Sequence, residues 1–277
     1  MQTKLILLLI AALVLFNLTR AQQPKTISFN VYSGYVKDSL AVRVTFPAQS
    51  NYTGSYSTVY YLDADITSGN DLRTLLADSA SNSRPEKTLF IGIAQKGKKP
   101  KYKYPQLRSR DFIPPLNRRS NILLPPKANK GRADNFYNFL TAELIPLINQ
   151  RFNVNNSRTL IGHSLGGLFV FYCLFKKEHS FKNYIALSPA LWVHRYNIFA
   201  YEQQYHLTSD SLNAYLYISA GTKETMNHIL KGARRMKKLL QQRQYKGLRF
   251  EYFEHKGKTH FTQIPVSLSY ILSHTDF

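Results

Sequence analysis

The stretch Arg158-Thr159-Leu160-Ile161-Gly162-His163-Ser164-Leu165-Gly166-Gly167 restricts the folds open to this chain more than any other. An apolar, strand-like approach enters Gly-His-Ser-Leu-Gly. Leu168-Phe169-Val170-Phe171-Tyr172-Cys173-Leu174-Phe175 leaves it as a long apolar helix. A G-x-S-x-G placed between a strand and a helix makes a turn that stands the serine hydroxyl at the end of the strand. Such a turn asks for small residues two before and two after the serine, which Gly162 and Gly166 supply, while Gly167 lets the helix pack close to the sheet. A bare G-x-S-x-G is most often a chance turn; the strand before, the helix after and the extra glycine argue for an elbow. Ser164 is therefore the candidate nucleophile. The N–H of Leu165, at the helix N-terminus, can face a developing oxyanion.

Around the elbow, strand and helix patterns alternate. Thr26 to Tyr32 and Asp38 to Phe46 predict an opening hairpin about Ser33-Gly34, and Ser57 to Leu62 a third strand ending at Asp63-Ala64-Asp65. A helix is expected over Asp71 to Ala80, a buried strand over Lys87 to Ala94, and a helix over Ala133 to Arg151 from the spacing of Phe136, Phe139, Leu140, Leu144, Leu147 and Ile148. After the elbow come strands at Tyr184 to Leu187, Ala214 to Ser219 and Arg249 to Phe253, a basic helix near Glu224 to Gln242, and a last amphipathic helix over Pro265 to Ser273. Alternation of this kind implies an α/β fold whose mainly parallel central sheet carries an antiparallel N-terminal hairpin and helices on both faces. No internal repeat or composition break divides it.

Met1 to Ala21 does not read as part of that fold. Lys4 gives a positive start, Leu5 to Phe16 is a nearly unbroken apolar run, and Thr19-Arg20-Ala21 ends on a small residue, the pattern of a cleaved secretory signal. The run is short of the ~20 residues a spanning helix needs, so no integral membrane span is expected. Residues 22–277 are then one exported domain, periplasmic or secreted, as a monomer or weak dimer. The single cysteine, Cys173, falls on the apolar helix and reads as a core residue; no internal disulfide can form. No CxxC, HExxH or other clustered His/Cys spacing is present, so neither a metal nor another cofactor is expected.

The formal net charge of +21 favours anionic partners: acidic lipid or polysaccharide, or an anionic small substrate. Nucleic acid is not expected, since no recognised binding motif accompanies the charge. Cations concentrate between Lys96 and Arg132, where twelve of them, Arg108, Arg110, Arg118 and Arg119 included, face a single acid, Asp111, amid six prolines. This interval shows no clear period and reads as a long loop able to rim the site.

A serine hydroxyl needs a base to take its proton and an acid to hold that base in the right tautomer. In the order serine, acid, histidine, the base belongs in the loop after the last strand. His255 and His260 both qualify; His260, in Gly257-Lys258-Thr259-His260-Phe261, lies deeper in the loop and is preferred. Glu224 is the first choice for the acid because it follows the strand Asn213 to Ala220, with Glu254 in reserve. Glu224 could instead simply favour the N-terminus of the basic helix.

With those positions set out, the sequence resembles the putative esterase family (esterase D and enterochelin-esterase-like proteins) of the α/β-hydrolases. The resemblance is carried by Tyr60-Tyr61-Leu62-Asp63, Arg110-Asp111-Phe112, Phe139-Leu140-Thr141-Ala142-Glu143-Leu144-Ile145-Pro146, the elbow, Ser188-Pro189-Ala190-Leu191-Trp192 and Thr259-His260. It implies an α/β-hydrolase fold, Ser164 and His260 as nucleophile and base, and the N–H of Asp65 as second oxyanion donor. It implies a serine esterase, and the charge makes an anionic ester such as a catecholate siderophore trilactone the leading substrate. A feruloyl or acetyl sugar ester, or a general short-chain ester, is the alternative; a non-catalytic binding protein on a hydrolase scaffold is the alternative of another class. Trp192 is placed to stack on an aromatic ring, and Arg195 and Arg110 join it as candidate substrate-binding residues.

Overall fold

The computed structural model describes residues 25–47, 52–77, 87–95, 103–117 and 131–275. Met1 to Ala21, Lys96 to Lys101, and Arg118 and Arg119 lie outside them. Among the described residues eight strands form one sheet: β1 (Thr26–Ser33), β2 (Asp38–Thr45), β3 (Tyr56–Tyr61), β4 (Thr88–Gln95), β5 (Val154–His163), β6 (Asn183–Leu187), β7 (Ser211–Gly221) and β8 (Lys246–His255), in the order β1-β2-β4-β3-β5-β6-β7-β8. β1 and β2 pair antiparallel, with Thr26 opposite Thr45 and Ser33 opposite Asp38, and β2 pairs antiparallel with β4. All other pairs are parallel. This is the α/β-hydrolase fold.

Strands covered on both faces read as continuous apolar runs; β3 and β6 are buried along their whole length. Successive side chains then serve opposite layers. On one face Tyr61, Ile185 and Tyr217 pack with Leu72 of α1 (Thr67–Ala77) and Leu268 and Ile271 of α8 (Ile264–His274). On the other, Tyr60, Tyr184 and Leu216 meet the remaining large helices: α2 (Lys103–Phe112), α3 (133–151), α4 (Leu165–Leu174), α6 (Ile198–His206) and α7 (Asn227–Arg243). A short segment, α5 (Val193–Tyr196), links β6 to α6 and is turned left-handed at His194, Arg195 and Tyr196. α4 is apolar all round and buried at nine of its ten positions, as befits a helix enclosed by its neighbours. Cys173 lies within it, buried and free. Burial pushes its thiol pKa well above the ordinary range.

The expected helix over Ala133 to Arg151 is present as α3, in three joined segments: α-helical Ala133–Asn138, a π segment Phe139–Leu144, and α-helical Ile145–Arg151. Pro146 cannot donate to the carbonyl four residues back, and the wider turn just ahead of it absorbs the missing bond. The expected loop between Lys96 and Arg132 needs correction, because α2 occupies its middle. Pro105 and the density of arginines hide the period, yet proline is tolerated in a first helical turn. Phe112 anchors α2 by packing on Phe136 and Phe169, with ring centroids 5.3 and 5.8 Å away. α5 and α6 had no clear sequence signal. α1 begins at Thr67 rather than Asp71, and α7 begins at Asn227, which leaves Glu224 in the preceding loop.

Candidate active site

Three adjacent parallel strands end at one edge of the sheet in the same unusual way. Asp63 after β3, Ser164 after β5 and Ser188 after β6 all have positive φ, at 58°, 59° and 42°. Non-glycine residues held so are strained by about 1–3 kcal/mol, and such strain gathers at functional sites. At Ser164 the strain is the elbow itself. Its N–H donates to Leu187 O at 2.9 Å, and its carbonyl accepts from Leu168 N at 3.0 Å and Ala190 N at 2.9 Å. A Cβ at Gly162 would lie 2.3 Å from the Gly166 carbonyl oxygen, so glycine is obligatory there. Gly166 differs from expectation: a Cβ would meet nothing nearer than Leu62 Cδ1 at 3.5 Å, an ordinary contact. Close approach at the second position is made by Gly167, whose Cβ would sit 3.0 Å from Pro189 Cα. Ser164 and Leu165 are partly exposed. Leu165 opens α4, where the first-turn N–H groups have no intrahelical acceptor.

The loop after β8 closes over the elbow. His163 Nε2 lies 3.0 Å from the carbonyl oxygen of His260, and the two rings are 4.4 Å apart. Donation by His163 Nε2–H to that carbonyl fixes the loop bearing His260 beside Ser164. Burial, reinforced by His260 and Arg108, holds the His163 pKa well below the usual histidine range, so it stays neutral. His260 Nδ1 is 2.7 Å from Glu224 Oε2, both side chains being buried. Glu224 Oε1 accepts from Ser188 Oγ at 2.6 Å and from the Gly221 N–H at 3.1 Å. Burial raises the Glu224 pKa, but these bonds from His260, Ser188 and Gly221 outweigh it and hold the carboxyl below its ordinary range. The acid and histidine loops can meet because Gly221 has no side chain; a Cβ there would lie 2.2 Å from Lys258 O.

The reserve residues are engaged elsewhere. Glu254 is forked to Arg234 at 2.9 and 2.6 Å, and His255 Nε2 is 2.9 Å from Ser267 Oγ. Ser267 Oγ in turn reaches Gln263 Oε1 and Ser219 Oγ. This buried polar cluster pins the start of α8, and so the loop bearing His260.

On the other side of Ser164, α2 presents Arg108. Its guanidinium forks onto Asp63, both bonds 2.9 Å, and also donates to His163 O at 3.2 Å. Burial raises the Asp63 pKa, and the Arg108 charge opposes that rise. One turn earlier, Tyr104 OH donates to Asp65 Oδ2 at 2.7 Å. The N–H groups flanking Asp65 are used internally, Ala64 N to Ile93 O and Ile66 N to Asp63 O; that of Asp65 has no backbone partner among the described residues.

Arg110 does not stand where a substrate-binding residue was expected. It is tied to Asp111 at 2.6 Å and to Asp38 at 3.1 Å, because its place on α2 turns it toward the hairpin, whereas Arg108 faces the elbow. Trp192 is half-buried, two residues after Ala190, whose N–H bonds to Ser164 O. Its ring lies 6.0 Å from that of His228, and its buried Nε1–H has no partner among the described residues. Arg195 is exposed in a left-handed turn, at φ 53°. Arg108, His163 and Ser188 were not singled out as site residues from sequence. The signal was limited to their places, two residues before Arg110, next to the serine, and at the head of Ser-Pro-Ala-Leu-Trp. No group of three or more His, Cys, Asp or Glu able to hold a metal occurs among the described residues.

Strand order and elbow make this an α/β-hydrolase, and the protein is a serine esterase. It belongs more narrowly to the family described as putative esterase, whose model matches residues 33–273. Among curated proteins it is similar to the ferri-bacillibactin esterase BesA of Bacillus subtilis (strain 168), with 28% identity over 244 residues, 82% of this chain and 81% of the relative. Among solved structures it shares its fold with the BES protein from Bacillus cereus, at TM-score 0.75 and 24% identity over 91% of this chain and 96% of the other. The siderophore hydrolase EstB from Aspergillus nidulans has TM-score 0.75 and 18% identity over 90% and 94%.

Proposed function

We propose that the protein hydrolyses an anionic carboxylic ester, of the siderophore class, through an acyl-enzyme on Ser164. The observation that carries the mechanism is the 2.7 Å contact of Glu224 with His260 Nδ1, in a loop that itself bonds to the residue beside Ser164. With Nδ1–H given to Glu224, His260 keeps Nε2 free of its proton and takes the one from Ser164 Oγ. The alkoxide adds to the ester carbonyl, and the oxygen that becomes negative is met by the N–H groups of Leu165 and Asp65. Imidazolium forms next to the Glu224 carboxylate, then gives its proton to the departing alcohol. Water, deprotonated by His260, releases the acid and restores Ser164.

Support for the substrate class comes from the relative named a ferri-bacillibactin esterase and from the net charge of +21, which attracts a polyanion. The nearby sequence positions Trp192 and Arg195 supply an aromatic ring and an exposed cation, the two chemistries that suit a charged aromatic group. The first 21 residues support export of a single enzyme domain. No described helix is long and apolar enough to cross a membrane.

The test compares purified protein and Ser164→Ala on ferric catecholate trilactones, feruloyl sugars and short aryl esters. Expected is a preference in kcat/KM for the trilactone, and a drop of at least ~10³-fold in Ser164→Ala on every ester. Preference for a neutral ester overturns the substrate class. Retained hydrolysis by folded Ser164→Ala removes Ser164 from the mechanism.

A further inference from the structure

Ser188 is fully buried and left-handed, at φ 42°, a conformation that glycine would adopt without strain. Two backbone bonds impose it: Ser188 N donates to Ser219 O at 2.7 Å, and Ala190 N donates to Ser164 O at 2.9 Å. A turn that needed only this path would be relaxed by glycine. What serine adds is an Oγ 2.6 Å from Glu224 Oε1. The Glu224 carboxylate sits on a terminal torsion with a broad, shallow profile, so its two oxygens are not held by covalent geometry. Ser188 Oγ and Gly221 N hold Oε1, which leaves Oε2 directed at His260 Nδ1. Among the described residues every donor on this carboxylate is neutral or is His260 itself. An arginine in the place of Ser188 would hold the carboxylate as well, but would cancel the charge that stabilises imidazolium.

We propose that Ser188 is a positioning residue for ester hydrolysis, locking Glu224 Oε1 so that Oε2 stays on His260 through both proton transfers. This rests on the reading of Ser164, His260 and Glu224 given above. The hydroxyl also shares the negative charge of Glu224, so its removal strengthens the carboxylate's hold on a protonated His260.

The test is a double-mutant cycle with Glu224→Gln, read on a neutral aryl ester. Ser188→Gly deletes the hydroxyl and relaxes the backbone, so its melting temperature should not fall below that of the parent. Its kcat should fall roughly 10- to 100-fold, the range for one hydrogen bond to a charged group, with KM unchanged. The acid limb of its pH profile, which belongs to the Glu224–His260 pair, should move to higher pH. In the Glu224→Gln background the same change should alter kcat less than about twofold, since coupled residues are not additive. Should Ser188→Gly fail to fold, Ser188→Ala takes its place with the same expectations for kcat and pH profile. An unchanged kcat beside a crippled Glu224→Gln overturns the role of Ser188 and leaves the acid standing. An equal loss in both backgrounds shows that Ser188 acts by another route and overturns the proposal. A silent Glu224→Gln overturns the acid reading and this proposal with it.

Discussion

The two flanks of Ser164 are held by different chemistry. On the α2 side the contacts are ion pairs: Arg108 forked onto Asp63, and Arg110 onto Asp111 and Asp38. On the β6–β8 side, Glu224 is surrounded by a serine hydroxyl, a backbone N–H and an imidazole, with no arginine or lysine bonded to it among the described residues. The contrast fits the roles proposed for the two flanks. A carboxylate paired with arginine is neutralised as a unit and serves to fix backbone, here at the ends of β3 and β5. A carboxylate held by neutral donors keeps its charge for a cation that appears only during reaction. Glu254 illustrates the first case, since its fork to Arg234 removes the charge that an acid beside histidine would need.

Three measurements test this division. The largest effect is expected on the neutral flank: His260→Ala should lower kcat at least ~10³-fold with little change in melting temperature, while His255→Ala stays within a few-fold. Comparable losses in kcat for the two would merge their roles. Next comes the charged flank, where Arg108→Met leaves Asp63 buried without its partner. Destabilisation of about 3 kcal/mol by denaturant titration is expected, at the low end for a broken buried pair because Arg108 keeps 18% exposure. Full stability combined with a large loss of kcat would instead put Arg108 in the chemistry.

The smallest effect concerns His163, which touches both flanks. Its folded pKa is depressed chiefly by burial, so folding releases the proton that the unfolded chain holds below pH ~6.5. Its contribution is complete above that pH and lost as pH falls further, at up to about 1.4 kcal/mol per pH unit. His255, also depressed by burial, adds to the same trend. His163→Gln should therefore lose less stability than the parent between pH 7.5 and 5.5. Parallel curves would mean that His163 takes up its proton inside the fold.

The layer architecture, the elbow and the candidate serine are legible in the sequence alone. Each depends on short-range pattern: continuous apolar runs for doubly covered strands, a helical period in α3, and a glycine two residues before Ser164 where the Gly166 carbonyl leaves no room for a Cβ. The sequence also narrowed the base to two histidines and the acid to two glutamates by chain order. The folded chain favours one of each, because it brings His260 and Glu224, 36 residues apart, into contact where Gly221 at the end of β7 lets the loop after β8 come close. The same holds for Arg108 against Arg110, two residues apart on one helix and about 200° apart around its axis. Which of them faces Ser164 was set by the packing of Phe112 on Phe136 and Phe169, a long-range contact that no local pattern encodes.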